Sequence, residues 1–240
     1  LCPWLFALTP SPLTGSRLHA PCSLLNRRSF YVTKIALAGK RLFDLLVATS
    51  ALIVLAPVMA LIALAIKLDD AGPVLYIQAR VGQGLRKFRC IKFRTMIAGA
   101  ESVGNKLIVT QNDPRVTRVG GKLRSWTLDE IPQLINVVKG EMSIVGPRPW
   151  VEEQARHCTP ENHRRFDVKP GMAGWAWIHG RNRLAWDERV RLDVWYVDHW
   201  SLRLDGYILA KAFVLLFLRQ GVYFGETETS QSKPQTDQPL

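Results

Sequence analysis

The chain has 240 residues, enough for one sizeable folded domain with short extensions. It carries 32 Lys and Arg against 20 Asp and Glu, a formal net charge of +12, which indicates an anionic partner. Nucleic acid, an anionic membrane surface and a phosphorylated substrate all fit this charge, and a long apolar stretch favours the membrane. The 4 cysteines are scattered, so their spacing argues against a disulfide framework and a zinc site.

The two ends of the chain differ in composition from its middle. Residues 1–33 mix Pro, Ser and apolar residues without a period, and we expect a disordered leader or an over-extended start. A signal peptide is the alternative, although no basic segment precedes an apolar core there. The polar stretch 225–240 predicts a disordered tail. Between them we expect a membrane helix over 34–71 and a more polar domain over 72–224.

One apolar stretch, Leu45–Leu68, carries Pro57 near its middle. A helix over these residues would be about 36 Å long, enough to cross a hydrocarbon core of about 30 Å. Proline inside a helix predicts a kink, which would leave two arms of about 18 Å each. Both flanks are basic, so the positive-inside tendency favours a cytoplasmic position for both, including Lys40 and Lys67. The sequence therefore favours a re-entrant helix turned at Pro57, and a kinked transmembrane helix is the alternative.

The next stretch, Gly72–Met96, has two short β-prone runs separated by the sequence VGQG. This pattern predicts a β-hairpin or a pair of strands, with Gly82 and Gly84 in a turn. A phosphate-binding loop is the weaker interpretation, because no helix obviously follows the two glycines. Lys92 and Arg94 lie two residues apart, so on a strand they share one face. They are candidate substrate-binding residues or an ordinary solvated pair.

An acidic pair, Asp129 and Glu130, lies among basic residues in the stretch Asp113–Trp150. Because Pro132 fits only the first turn of a helix, we expect a helix to begin near Thr127 to Asp129 and to run through QLINVV, with both carboxylates at its positive end. An ordinary capping box between Thr127 and Glu130 is the alternative explanation of the acidic residues. A carboxylate among arginines stays ionised and suits a metal ligand or a nucleophile toward a bound phosphate.

The sequence GPRP at Gly146–Pro149 predicts a rigid turn, because two prolines restrict its backbone. Arg148 is displayed on this turn. A planar guanidinium in a fixed position suits a docked phosphate, since it donates two parallel hydrogen bonds.

Four segments occur in an order that is typical of one protein family: KFRTM, LDEIPQLINVVKGEMSIVGPRP, VKPGMAGWAWIHGRN and LDVWYVDHWSLRLD. Together they resemble the bacterial sugar transferases, also called monotopic polyprenol-phosphate phosphoglycosyl transferases, in their small single-domain form. The resemblance covers about Lys40 to Phe224. It implies transfer of a sugar phosphate from a nucleotide sugar, usually a UDP-sugar, to undecaprenyl phosphate with release of UMP.

The resemblance also implies roles for single residues. Asp129 would be the nucleophile and a Mg²⁺ ligand, and Glu130 would be its partner in a catalytic dyad. Three arginines match family positions that hold the donor's phosphates: Arg124, Arg148 and Arg181. Ala56 stands where the family often has a serine before the helix-breaking proline, so one hydroxyl that could satisfy freed backbone carbonyls is missing.

The implied architecture is an α+β monotopic fold with a Pro-broken re-entrant helix, a small β-hairpin region and amphipathic interfacial helices. The domain 72–224 would be catalytic and would lie on the cytoplasmic face of the bacterial inner membrane. Expected partners are the UDP-sugar donor, undecaprenyl phosphate, membrane lipids and downstream glycosyltransferases, without nucleic acid. The reaction would be the first membrane step of polysaccharide or glycoconjugate assembly, and the shared motifs do not name the sugar.

Two other classes explain part of the pattern. A non-catalytic scaffold that binds anionic lipid accounts for the charge and the apolar stretch, but not for the acidic pair among arginines. A nucleic-acid-binding membrane protein accounts for the charge, but no motif of that class is recognisable in the sequence. Release of UMP from a UDP-sugar distinguishes both from a transferase.

Overall fold

The computed structural model describes residues 34–100, 113–156, 158–180 and 184–218. The predicted leader 1–33, the predicted tail 225–240 and Arg181 lie outside the described residues. In chain order, the helices and strands are α1 (Lys34–Asp69), β1 (Leu75–Val81), β2 (Lys87–Phe93), α2 (Arg118–Ser125), α3 (Gln133–Lys139), β3 (Ser143–Val145), α4 (Glu152–Arg156), β4 (Gly171–Ala173), α5 (Trp175–Ile178), α6 (Trp186–His199) and α7 (Leu202–Leu218). Short 3₁₀ helices cover Gln83–Leu85, Leu128–Glu130 and Pro160–Phe166. The mixture of helix and sheet confirms the α+β class.

The predicted hairpin is confirmed by the pairing of β1 with β2. The two strands are antiparallel, with a register that runs from Leu75 opposite Phe93 to Val81 opposite Lys87. The glycines between them lie in a turn around the 3₁₀ helix Gln83–Leu85 rather than in a loop that opens a helix. Because residues directly opposite in the register share a face, the hairpin presents one set of side chains to the site described below.

A second, parallel pair forms between β3 and β4, with Ser143 opposite Gly171 and Val145 opposite Ala173. Gly171 has a steric reason to be glycine, because a Cβ there would overlap the backbone of Gly146. This close approach fixes the chain that leaves β3 against β4. The loop that carries Arg148 begins at this point.

Both ends of α1 are attached to the domain that follows it. Near the start of the helix, Lys40 Nζ donates to the carbonyl of Val145 at 3.1 Å and pairs with Asp205 at 2.5 Å. At its end, Asp70 pairs with Arg94, whose Nη1 lies 2.7 Å from the carboxylate. The membrane helix and the rest of the described chain are therefore joined by charged contacts at both helix ends.

Two further contacts strengthen the attachment at the start of α1. Arg41 donates to the carbonyls of Val137 and Val138 at 2.6 and 2.8 Å, which satisfies carbonyls in the last turn of α3. Buried Asp44 accepts a hydrogen bond from the amide of Ile144 at 3.1 Å. The start of α1 thus supports the segment that leads from α3 to β3.

The two faces of α1 have different surroundings. Ala48, Ile62 and Ile66 are buried against the domain, whereas Ile53 and Val54 are 70% and 71% exposed. By length and composition the helix is apolar enough to cross a membrane, and little of it is buried in the protein. A large exposed apolar surface of this kind indicates membrane association.

Pro57 lies inside α1, which the structure describes as one helix through this residue. The helix ends at Asp69, two residues before the predicted boundary. The Pro-broken, re-entrant form of the helix therefore stays a prediction. The C-terminal helix α7 is also two-sided, because Ile208 and Ala212 are buried while Phe213 is 64% exposed.

Candidate active site

The acidic pair lies in the 3₁₀ turn Leu128–Glu130, between α2 and α3. A 3₁₀ helix does begin after Thr127, but the predicted continuous helix from there through QLINVV is wrong, because α3 begins only at Gln133 with Pro132 at its N-cap position. The alternative capping box is also absent: Thr127 adopts φ +58 and its side chain makes no capping hydrogen bond. A left-handed backbone is costly for a β-branched residue, so the turn that presents the dyad is strained.

Glu130 is held by two cations. Its Oε1 accepts a hydrogen bond from Lys92 Nζ at 2.9 Å and another from Arg148 Nη2 at 2.9 Å. The Glu130 side chain is 10% exposed, so this carboxylate is almost removed from water. Although burial opposes ionisation, the charges and hydrogen bonds of Arg148 and Lys92 lower the pKa of Glu130 well below its usual value. Glu130 is therefore the ionised member of the pair, with its Oε1 held by both cations.

Asp129 has a different environment from Glu130. Its side chain is half-buried, and no hydrogen bond or ion pair joins it to another residue within the described ranges. Burial and the neighbouring charge of Glu130 raise the pKa of Asp129, while nearby Lys92, Arg124 and Arg148 act in the opposite direction. The dyad therefore combines Glu130, whose carboxylate is bonded to two cations, with Asp129, whose carboxylate is available to a ligand.

Arg124 lies in the last turn of α2, and its Nε donates to Thr95 Oγ1 at 2.7 Å. Thr95 follows β2 in the segment KFRTM, so this bond joins the hairpin to the turn that carries the dyad. The charge of Arg124 acts on Asp129, which places its guanidinium in the neighbourhood of the acidic pair. The structure thus brings together five of the predicted site residues: Lys92, Arg124, Asp129, Glu130 and Arg148.

The loop that carries Arg148 is fixed by its backbone carbonyls. Its prolines have no amide hydrogen to donate, so carbonyls supply most of its backbone hydrogen bonding. Donors from different parts of the fold reach consecutive parts of this loop: Lys40 to Val145, Gly171 to Pro147, Arg165 to Arg148, Arg80 to Pro149 and Val81 to Trp150. The predicted rigid display of Arg148 has a structural basis in these contacts.

Arg80 was not predicted from the sequence as a site residue. It lies on β1, on the same face of the hairpin as Lys92, and a small cavity is lined by both of these side chains and by Arg148. Its Nη1 donates to the carbonyl of Pro149 at 3.1 Å. Burial and the positive charge of Arg148 lower the pKa of Arg80. The register of the predicted hairpin was the sequence signal that could have identified it.

Arg94 has a partner outside the acidic pair. Its side chain is 7% exposed, and it donates to the carboxylate and the carbonyl of Asp70 at 2.7 and 2.8 Å. These contacts attach the hairpin to the end of α1, and a substrate contact of Arg94 stays a prediction. Arg181 also stays a prediction, because it lies outside the described residues.

The residues present suit a magnesium ion that is bound partly by the protein and partly by the substrate. Among the described residues, no group of three or more His, Cys, Asp or Glu side chains is arranged to hold a metal. Magnesium is commonly bound by one or two carboxylates together with water and substrate phosphates. Asp129 is an available carboxylate, whereas the oxygen Oε1 of Glu130 is taken by Lys92 and Arg148. A site made by Asp129 and a bound diphosphate fits this chemistry.

Comparison with known proteins agrees with the geometry. Residues 35–219 match the family model described as "Bacterial sugar transferase". The chain belongs to the bacterial sugar transferase family. The match includes the hairpin, the acidic pair and the Arg148 loop, so the elements that form the site are family elements.

Three relatives indicate the range of this family. The sugar transferase is 39% identical over 183 residues to the Bacillus subtilis (strain 168) protein "Uncharacterized sugar transferase EpsL", covering 76% of this chain and 89% of the relative. It is 38% identical over 199 residues to the Sinorhizobium fredii "Exopolysaccharide production protein ExoY", covering 77% of this chain and 88% of the relative. The Escherichia coli (strain K12) "UDP-glucose:undecaprenyl-phosphate glucose-1-phosphate transferase" is 40% identical over 195 residues, which cover 77% of this chain and only 41% of that relative.

Proposed function

We propose that this sugar transferase moves a sugar 1-phosphate from a UDP-sugar to undecaprenyl phosphate, giving undecaprenyl-diphosphate-sugar and UMP. The observation that carries the proposal is the contrast within the dyad: Asp129 is available to a ligand, whereas Glu130 is held by Lys92 and Arg148. The names of the E. coli and S. fredii relatives support a transfer to undecaprenyl phosphate in exopolysaccharide production.

In the first step, a carboxylate oxygen of Asp129 attacks the phosphorus that carries the sugar. The new bond is an aspartyl phosphate, and the bond that breaks is the P–O bond to UMP, which leaves with the electron pair. The attack needs an ionised Asp129 and a neutralised diphosphate, because two anions repel each other. Lys92, Arg124 and Arg148 supply positive charge beside the carboxylate.

In the second step, an oxygen of undecaprenyl phosphate attacks the same phosphorus and expels the Asp129 carboxylate. Two displacements allow the water-soluble donor to react before the lipid acceptor arrives. This order suits an enzyme that works at the surface of a membrane. The product carries a diphosphate-linked sugar on a lipid, the kind of acceptor that a downstream glycosyltransferase would extend.

Magnesium is the proposed cofactor; Asp129 would be its protein ligand, together with water and the donor's diphosphate. When bound, the ion supplies positive charge that neutralises the diphosphate. Glu130 orients the cations, because it accepts hydrogen bonds from Lys92 and Arg148 and so keeps both side chains beside the dyad.

We place the protein on the cytoplasmic face of the bacterial inner membrane, with α1 as a re-entrant helix turned at Pro57. Charged contacts near the two ends of α1, Lys40 with Asp205 and Asp70 with Arg94, both involve the domain that carries the dyad. A helix that crosses a bilayer carries its ends to opposite sides, whereas a re-entrant helix returns them to one side. Attachment of both ends to one domain therefore supports the re-entrant arrangement.

The experiment is a transfer assay with the full-length protein in detergent or nanodiscs, Mg²⁺, undecaprenyl phosphate and a panel of UDP-sugars. We expect UMP release and a lipid-linked product with at least one donor, and neither with Asp129→Asn. A folded, lipid-binding protein that releases no UMP with any donor would contradict the proposal and favour a non-catalytic scaffold.

A further inference from the structure

A buried ion pair lies directly behind the Arg148 loop. Arg165 Nη2 donates to Asp193 Oδ2 at 2.6 Å and to the backbone carbonyl of Arg148 at 2.9 Å. The Arg165 and Asp193 side chains are each 2% exposed. The guanidinium carbon of Arg165 lies 3.5 Å from the centre of the Trp150 ring, which closes one face of the guanidinium group. One donor nitrogen thus joins the ion pair to the residue that contacts Glu130.

The residues of this assembly come from distant parts of the sequence. Arg165 belongs to the 3₁₀ helix Pro160–Phe166, and Asp193 belongs to α6. Trp150 follows the loop and packs edge-on against Phe166, with ring centres 5.9 Å apart. Arg165 of the 3₁₀ helix reaches the loop at the Arg148 carbonyl, and no described residue of the 3₁₀ helix or α6 has a hydrogen bond or ion pair with the dyad. Their contribution to the site is therefore through the position of Arg148.

We propose that Arg165, oriented by Asp193, is a positioning residue that fixes Arg148 for the donor's phosphates. This inference rests on the proposed transferase function. The Arg148 side chain is 43% exposed, and among the described residues its Nη2 contacts Glu130 Oε1. The base of the side chain must therefore be held by its backbone, and the Arg165 bond to the Arg148 carbonyl does so. A misplacement of about 1 Å in a positioning contact can lower the rate of an enzyme by about a hundredfold.

The positioning role of Arg165 can be tested separately from its contribution to the stability of the fold, because the two charges of a buried ion pair can be removed together. Removing one partner leaves an uncompensated buried charge and strongly destabilises a protein, whereas replacing both partners by apolar side chains is often neutral or stabilising. The double replacement Arg165→Met with Asp193→Leu removes both charges together. It also removes the hydrogen bond to the Arg148 carbonyl while leaving apolar volume beneath Trp150.

The experiment compares this double variant with the wild type in the full chain. We expect a similar thermal unfolding temperature, faster hydrogen exchange at the amides of Gly146, Arg148 and Trp150, and a fall of about ten- to a hundredfold in kcat/KM for the UDP-sugar. In an Arg148→Ala background we expect the same double replacement to cause no further loss, because its effect passes through Arg148.

A matched control exists in the neighbouring ion pair. Arg164 and Asp198 join the same 3₁₀ helix to α6 but lie at the surface, with side chains 56% and 30% exposed. The control variant Arg164→Met with Asp198→Leu should keep wild-type loop exchange and wild-type kcat/KM. An equal fall in kcat/KM in the control and the test variant would overturn the positioning role. Such a result would mean that any loosened contact between the 3₁₀ helix and α6 lowers activity.

Two further outcomes overturn the inference: unchanged loop exchange with unchanged kcat/KM, and a loss that multiplies with that of Arg148→Ala. If the wild type releases no UMP with any donor, the proposed function fails. In that case faster loop exchange in the test variant, but not in the control, would still support Arg165 as the anchor of the Arg148 loop, and unchanged exchange would overturn it.

Discussion

Arg148 donates from Nη2 to Oε1 of Glu130 across 2.9 Å, and Lys92 reaches the same oxygen at the same distance. This shared acceptor joins the loop after β3 to the hairpin strand β2 through the dyad. It also leaves Arg148 with further donors, since a guanidinium carries five N–H groups. Glu130 thus organises the cations, and Asp129 remains available to a ligand.

Arg148→Lys should lower kcat/KM for the donor about ten- to a hundredfold. Lysine keeps the charge but loses the planar fork that can bond Glu130 and a phosphate together. The measurement is UMP release with saturating undecaprenyl phosphate. Arg156→Lys is the matched control, because Arg156 pairs with Glu152 at the surface and is 74% exposed. Equal activity of Arg148→Lys and the wild type would remove Arg148 from the donor site.

Glu130→Gln should slow the first displacement without abolishing it. The amide retains the shape of the side chain but no longer neutralises Lys92 and Arg148, so their positions and charges change. Asp129→Asn should abolish UMP release altogether, because no nucleophile remains. Rapid-quench measurement of UMP formation distinguishes a slow reaction from none. If Glu130→Gln is dead and Asp129→Asn is merely slow, the roles within the dyad are reversed.

The pH dependence of kcat/KM should have its acid limb above the range of an ordinary aspartate, whose pKa is about 3.9. Burial and Glu130 raise the pKa of Asp129, and the first displacement needs the ionised carboxylate. Activity is therefore present above the raised pKa and is lost as the pH falls through it. Glu130→Gln removes one cause of the raised pKa and should move the limb to lower pH. Circular dichroism over the same range checks that the fold persists. A kcat/KM that stays constant down to pH 4 would contradict the raised pKa of Asp129.

Both ends of α1 should be accessible from the cytoplasm only. Gly39 and Leu68 are suitable reporters, because Gly39 has open space around it and Leu68 is 79% exposed. Single cysteines are introduced at these positions in a background without native cysteines. Inverted vesicles and intact cells are then each treated with a membrane-impermeant thiol reagent. We expect labelling of both in inverted vesicles alone. Labelling of either one in intact cells would establish a transmembrane helix.

The sequence was sufficient for local features with a strong pattern. The hairpin followed from β-prone runs around a glycine turn, and the exposed apolar face of α1 follows from the composition of Leu45–Leu68. The cluster of Lys92 and Arg124 about the dyad agrees with the order of the family segments. These features depend on neighbouring residues or on motifs, and both can be identified in a single sequence.

Features that depend on tertiary contacts could not be predicted in the same way. The alternative capping box between Thr127 and Glu130 is absent because the Glu130 carboxylate bonds Lys92 and Arg148 instead. Arg94 was predicted with Lys92 from strand alternation, yet its structural partner Asp70 lies at the end of α1. The buried pair of Arg165 and Asp193 joins residues 28 positions apart, and no local pattern indicates it.

The most direct test of the two-step account is a donor-only experiment. Wild-type enzyme, Mg²⁺ and a UDP-sugar that supports turnover are mixed without undecaprenyl phosphate. We predict a burst of up to one UMP per active enzyme, a sugar phosphate attached at Asp129 by peptide mass spectrometry, and its discharge when undecaprenyl phosphate is added. Asp129→Asn should give neither burst nor adduct. An enzyme that turns over with both substrates but gives no UMP from the donor alone would contradict the covalent intermediate and indicate direct attack by the lipid phosphate.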